Sequence, residues 1–186
     1  MRRWLDEARA ALDTVSTEEV GAALQVLLRT REAGGTLFAA GNGGSATTCS
    51  HLALDFQRAV RADDGLRTRA TSLADSVGSI TAWANDEAYA AVFSRQLELQ
   101  ARPGDCLIVA SVSGDSPNLV AAVAWAREHG LSTVGLLGRE GGALRAMVDA
   151  AVVVRSHDYG WVESAHLVLE HVLTCALKLP SGAVGA

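Results

Sequence analysis

An apolar run of strand length, Thr36-Leu37-Phe38-Ala39-Ala40, passes directly into Gly41-Asn42-Gly43-Gly44-Ser45-Ala46, and a helical pattern follows. A turn this short between strand and helix restricts the chain to folds in which helices pack over a sheet. Its glycines let the backbone approach a ligand with no Cβ in the way. The first N–H groups of the new helix have no intrahelical partner, so the turn reads as an anion cradle. The device is repeated: Cys106-Leu107-Ile108-Val109-Ala110 leads into Ser111-Val112-Ser113-Gly114-Asp115-Ser116-Pro117-Asn118 ahead of another helix. One glycine-rich and one serine-rich turn point to a sugar phosphate rather than a dinucleotide.

Strand-like runs recur at 36–40, 68–74, 106–112, 132–138 and 150–154, with helical stretches at 44–60, 86–100, 116–129, 142–148 and 161–178. Strand alternating with helix predicts an α/β three-layer sandwich around a five-stranded parallel sheet. Ligands in such sheets bind beyond the carboxyl ends of the strands, where both turns fall. Residues 3–33 carry apolar positions at helical spacing, with a restart at Ser16-Thr17-Glu18-Glu19 capped by Ser16 or Thr17. The expectation is one domain over 1–186: leading helices in 1–34, a core in 35–179 and a flexible tail in 180–186.

A net charge of −5 argues against broad binding to nucleic acid or acidic membranes. No apolar run of about 18 residues suits a membrane span, and the charges after Met1-Arg2-Arg3 do not suit a signal peptide. Cys49, Cys106 and Cys175 are odd in number and widely spaced, and read as buried free thiols in a reducing cytoplasm.

Two helices carry candidate chemistry. His51 and Asp55 form an i,i+4 pair one to three turns beyond the glycine-rich turn, suited either to a surface pair or to a group acting on the far end of a small phosphorylated sugar. The last helix holds Glu163, His166, Glu170 and His171 within nine residues. Helical angles put the first three near one stripe and His171 about 80° from Glu163, so spacing does not decide which histidine meets a ligand. Together the two helices suit a divalent metal such as zinc and equally an acid–base pair. Asn85 or Asp86 reads as a helix N-cap or as an acceptor for a sugar hydroxyl, and Ser113 and Ser116 read as donors to phosphate oxygens.

These residues resemble the sugar isomerase (SIS) family, and within it the phosphoheptose isomerases. The resemblance rests on GNGGSA with His51 and Asp55 behind it, TAWAND at 81–86, FSRQ at 93–96, RPGD at 102–105, SVSGDSPN at 111–118 and the His/Glu-bearing last helix. It implies a cytoplasmic homotetramer with sites at subunit interfaces and the leading helices packed in the oligomer. Phosphate would be held by Ser45, Ser111, Ser113 and Ser116 with backbone amides of Gly43 and Gly44, and sugar hydroxyls would meet Asn42 and Asp86. The family's catalytic carboxylate falls on Asp55, its histidine on His171, and a zinc set on His51, Asp55, Glu163 and His171. The chain departs from the family at Asp55 for Glu, Glu163 for Gln, Val112 for Thr and Asp115 for Asn, and an arginine common a few residues past the catalytic carboxylate is out of register, with Arg58 and Arg61 nearby. The implied activity is isomerisation of sedoheptulose 7-phosphate to an aldoheptose 7-phosphate. The alternative is a non-catalytic SIS protein that binds a phosphosugar or a replication-initiator-type partner.

Overall fold

The computed structural model describes residues 1–183. Five strands, β1 Thr36–Gly41, β2 Arg69–Ser72, β3 Cys106–Ser111, β4 Ser132–Gly138 and β5 Ala150–Val154, form one sheet in the order β2-β1-β3-β4-β5. Every pairing is parallel, with Phe38 opposite Thr71 on one side and Leu107 on the other. A parallel sheet needs both faces covered, and all six residues of β3 are buried. The helices are α1 Arg2–Leu12, α2 Thr17–Glu32, α3 Gly44–Arg58, α4 Val77–Asp86, α5 Ser94–Gln100, α6 Pro117–Glu128, α7 Leu144–Met147 and α8 Tyr159–Leu177.

Two cores result, one on each face. Leu24 and Leu27 of α2, Leu52 and Phe56 of α3, and Leu169 and Leu173 of α8 pack against Ile108 and Leu136. On the other face Leu97 of α5 and Leu119 and Val123 of α6 pack against Phe38, Leu107 and Leu137. Each such side chain, fully buried, contributes about 1.5–3 kcal/mol. Ser16 is the cap of α2: its Oγ accepts from the Glu19 N–H at 3.2 Å. The buried Arg31 guanidinium closes the far end of α8 by donating to the Leu177 carbonyl at 2.6 Å.

Three expectations change. The helix expected over 86–100 begins instead at Ser94 as α5: Asp86 ends α4, whose other residues precede that span, and a 3-10 turn at Tyr89–Ala91 separates the two. Ser76, not Asn85 or Asp86, caps α4, accepting from the Ser79 N–H at 3.3 Å, and Asp86 is the last residue of that helix. Cys49 and Cys106 are buried, but Cys175 is exposed. On α8 it falls two residues from both Leu173 and Leu177, so the helical period turns it away from the core those residues fill. In the expected tail, the Ser181 N–H donates to Asp63 at 3.0 Å and Ala183 closes a turn onto the Pro180 carbonyl at 3.1 Å. Residues 184–186 lie outside the described part.

Candidate active site

The strand order reverses at β1 and β3: the chain leaves β1 for the edge strand β2, then returns across it to β3. The carboxyl ends of β1 and β3 therefore open a crevice, and the two candidate turns line it. Gly43 has φ +54° and ψ −124°, a conformation closed to residues with a Cβ, and α3 starts at the next residue. A Cβ on Gly44 would stand 2.4 Å from the Glu163 carboxylate oxygens, so the Glu163 carboxylate lies directly over this glycine and any larger residue would displace it.

The serine-rich turn is held by its own side chains. Ser111 Oγ accepts from the Gly114 N–H at 3.0 Å, and Ser113 Oγ accepts from the Asp115 N–H at 3.2 Å. Each hydroxyl proton stays available to an incoming oxygen. Ser116 precedes Pro117 at the start of α6 and makes no side-chain capping bond. Asn42, Ser45, Ser111, Ser113, Ser116 and Glu163 bound a cleft of about 100 Å³. Asp115 does not face it: its Oδ1 accepts from the Ala143 N–H at 2.8 Å, which draws the carboxylate towards the segment before α7.

Asn42 joins the two turns. Its amide donates to Asn118 Oδ1 at 3.0 Å and its carbonyl accepts from Asn118 Nδ2 at 2.8 Å; the Tyr89 hydroxyl donates to the same Asn42 oxygen at 2.9 Å. Asn118 and Tyr89 were not singled out from the sequence. Asn118 stood in view as the last residue of SVSGDSPN, whereas Tyr89 arrives from the 3-10 turn without any periodic signal.

Further along α3 and α8 lies the second half of the site. His51 Nε2 is 3.7 Å and His171 Nε2 is 3.9 Å from Asp55 Oδ2, and the two imidazoles meet edge to face with centroids 5.1 Å apart. The aspartate, one methylene shorter than the family's glutamate, thus still reaches between both rings. Glu170 is the fourth member: its Oε2 is 3.4 Å from His171 Nε2, and one ligand atom from each of the four residues lies within 4.8 Å of the others. Glu163 is absent from this group, because its carboxylate rests over Gly44 at the cleft.

Of the two histidines, His171 points to the cluster, with half of its side chain exposed. His166 is wholly buried, with neither ring nitrogen hydrogen-bonded among the described residues, and burial pushes its pKa down to about 4. It is a neutral core residue at physiological pH. Asp86 lies outside the cleft, exposed, accepting from the Asn85 amide at 2.9 Å.

A serine and glycine cradle at the switch point of a parallel sheet, with imidazoles and carboxylates along the helices that leave it, defines a phosphosugar-handling α/β protein. The profile of the SIS domain family matches residues 3–138, and the chain belongs to that family. A phosphoheptose isomerase of Roseiflexus sp. is 37% identical over 179 residues, covering 92% of this chain and 90% of the relative. Another from Trichlorobacter lovleyi is 38% identical over 158 residues, 84% of this chain and 80% of the relative. The solved structure of a phosphoheptose isomerase from Neisseria gonorrhoeae matches with a TM-score of 0.87 at 28% identity, covering 95% of both chains.

Proposed function

We infer that the chain is a phosphoheptose isomerase, an aldose–ketose isomerase that interconverts sedoheptulose 7-phosphate and D-glycero-D-manno-heptose 7-phosphate. The observation that carries this is the shared path of α3 and α8. They touch at the cradle through Gly44 and Glu163, and touch again at Asp55 and His171. Eight residues of α8 separate the two contacts, about 12 Å of rise. That span suits a phosphosugar with a long carbon chain, its phosphate in the cradle and its carbonyl end at the cluster.

In this reading the hydroxyls of Ser45, Ser111, Ser113 and Ser116 and the amides of Gly43 and Gly44 hold the phosphate. Asn42 and Asp86 serve sugar hydroxyls. Asp55 takes a proton from C1 of the ketose and returns one to C2, while His171 moves the proton between O1 and O2. The alternative to that acid–base pair is a divalent cation, zinc in our reading, held by His51, Asp55, Glu163 and His171, with Glu170 the carboxylate that stands beside His171 in the structure; an Asp55 bound to the ion would be a poor base. Bound there, the ion would polarise the sugar carbonyl.

We further propose a homotetramer with sites shared between subunits. The support is apolar surface in the described chain: α4 has no buried residue, Trp4 and Leu5 of α1 are more than half exposed, and Leu54, Val168 and Val172 lie exposed on α3 and α8. Asp86, at the end of α4, would then act in a site shared with another copy. Among the described residues no helix is long and apolar enough to cross a membrane. A cytoplasmic location accords with three unpaired cysteines. The non-catalytic alternative is not favoured, since the serine cradle and the Asp55–His171 pair are both present and relatives named as isomerases match over most of their length.

Proton NMR of sedoheptulose 7-phosphate with the purified protein tests the reading. Anomeric signals of an aldoheptose 7-phosphate are expected, while an unchanged ketose spectrum from protein that binds the sugar would refute it.

A further inference from the structure

We propose that the chain carries a second anion site, remote from the cradle, in which the Arg31 guanidinium binds a phosphate-class oxyanion through Nε and Nη2. The proposal does not rest on the isomerase reading. Its place is the opposite end of the molecule. Helix α3 starts at the cradle with Gly44 and ends at Arg58, a rise of about 21 Å. Beyond that end a cleft of about 180 Å³ opens between the last turns of α2 and α8, with Arg29, Arg31, Arg61, Ala176 and Ser181 among the residues that line it.

At this cleft lies a buried cation with most of its hydrogen-bonding capacity unused. Arg31 is 2% exposed, and its Nη1 donates to the Leu177 carbonyl at 2.6 Å. Nε and Nη2 are buried and have no partner among the described residues. These two nitrogens share one edge of the planar group, the edge whose parallel N–H bonds match two oxygens of a single oxyanion. A guanidinium stays charged inside a protein, and a buried charge is ordinarily paired. The Leu177 contact accounts for one nitrogen and leaves the fork open.

The carboxylates nearby do not close it. Glu32 at 3.1 Å, Asp63 at 3.3 Å and Asp64 all pair with Arg61, and each is partly exposed, so water screens them. None forms an ion pair with Arg31 among the described residues. Burial, and then the Arg61 charge, hold the Arg31 pKa below the usual arginine range, as befits a cation short of counter-charge. Arg29 stands exposed at the rim as a further donor. The volume is smaller than the roughly 300 Å³ at which sites for drug-sized ligands begin, so a small ion suits it.

Calorimetric titration of the full chain with inorganic phosphate tests the site. The serine cradle is itself expected to take phosphate, so wild type should bind two ions per chain. Arg31→Met places an apolar side chain of similar length in the same space and should bind one. The double variant Ser111→Ala, Ser113→Ala should weaken the cradle ion and keep the distal one, which tells the two apart. Arg31→Lys keeps the charge without the fork and should weaken the distal ion about tenfold or more; it keeps the test open should Arg31→Met fail to fold. A crystal structure of the wild type in phosphate should show the ion at hydrogen-bond distance from Nε and Nη2. Wild-type stoichiometry in Arg31→Met, or undiminished affinity for every bound ion in Arg31→Lys, would overturn the proposal.

Discussion

The two ends of the site are built on opposite terms. Around the cradle the polar groups that shape it are paired within the chain: Ser111 and Ser113 accept loop amides, Asn42 and Asn118 pair reciprocally, and Asp115 is engaged by Ala143. At the cluster, His51, Asp55 and His171 are partly open to solvent, the two imidazoles stand 3.7 and 3.9 Å from the Asp55 carboxylate, and Glu170 keeps an unpaired oxygen. The difference teaches which end is finished by folding. The cradle is held by its own hydrogen bonds, so in the proposed reading it would meet phosphate with little rearrangement and a low cost of binding. The cluster is a set of donors and acceptors that reaches its working geometry only with substrate, ion or neighbouring subunit.

The largest effect should come from the open end. Asp55→Asn and His171→Gln should each lower kcat at least a hundredfold with little change in oligomeric state, checked by NMR turnover and size-exclusion chromatography. Near-normal turnover would erase the distinction between the two ends.

The same contrast runs within α8, between exposed His171 and buried His166. Because the folded His166 has its pKa lowered from 6.5 to about 4, the unfolded chain binds a proton below pH 6.5 that the folded chain refuses. Stability falls as pH drops from 6.5 to about 4 and is unaffected by this group above that window. The loss amounts to about 3 kcal/mol. Urea unfolding at pH 7 and pH 4.5 should show a smaller acid loss in His166→Leu than in wild type.

At the cradle the effects are smaller and fall on binding. Ser113→Ala removes one hydrogen bond to a charged phosphate, worth about 1.5 kcal/mol, and should raise KM roughly tenfold with kcat little changed. Smallest is Asp115→Ala, which should cost about 1 kcal/mol in thermal unfolding through the lost Ala143 bond and leave KM within twofold. A large KM effect there would mean that the carboxylate faces the phosphate after all.

The same division governs what could be read from the sequence. Strands buried on both faces announce themselves as continuous apolar runs, and the glycine and serine turns sit directly at their ends. The cradle was therefore legible. Helix α4 was not, because none of its residues is fully buried and only Ile80, Trp83 and Ala84 lean on the core, too short a stripe to mark it. Missing it turned Asp86 from the end of one helix into the expected start of another. At the cluster, sequence spacing supplied His51, Asp55 and His171 but not the choice between carboxylates on α8. Glu163 and Glu170 lie near one stripe of the helix, and only the packing of α3 against α8 sends the first to the cradle and the second to the cluster.

Hydrogen exchange at the substrate's carbon atoms tests the division of labour most directly. With sedoheptulose 7-phosphate in D2O, wild-type protein should deplete the C1 proton signals and yield aldoheptose 7-phosphate deuterated at C2. Asp55→Asn should bind the sugar phosphate with unchanged affinity and exchange nothing. Undiminished exchange in Asp55→Asn would contradict the account, as would a variant that loses binding and exchange together.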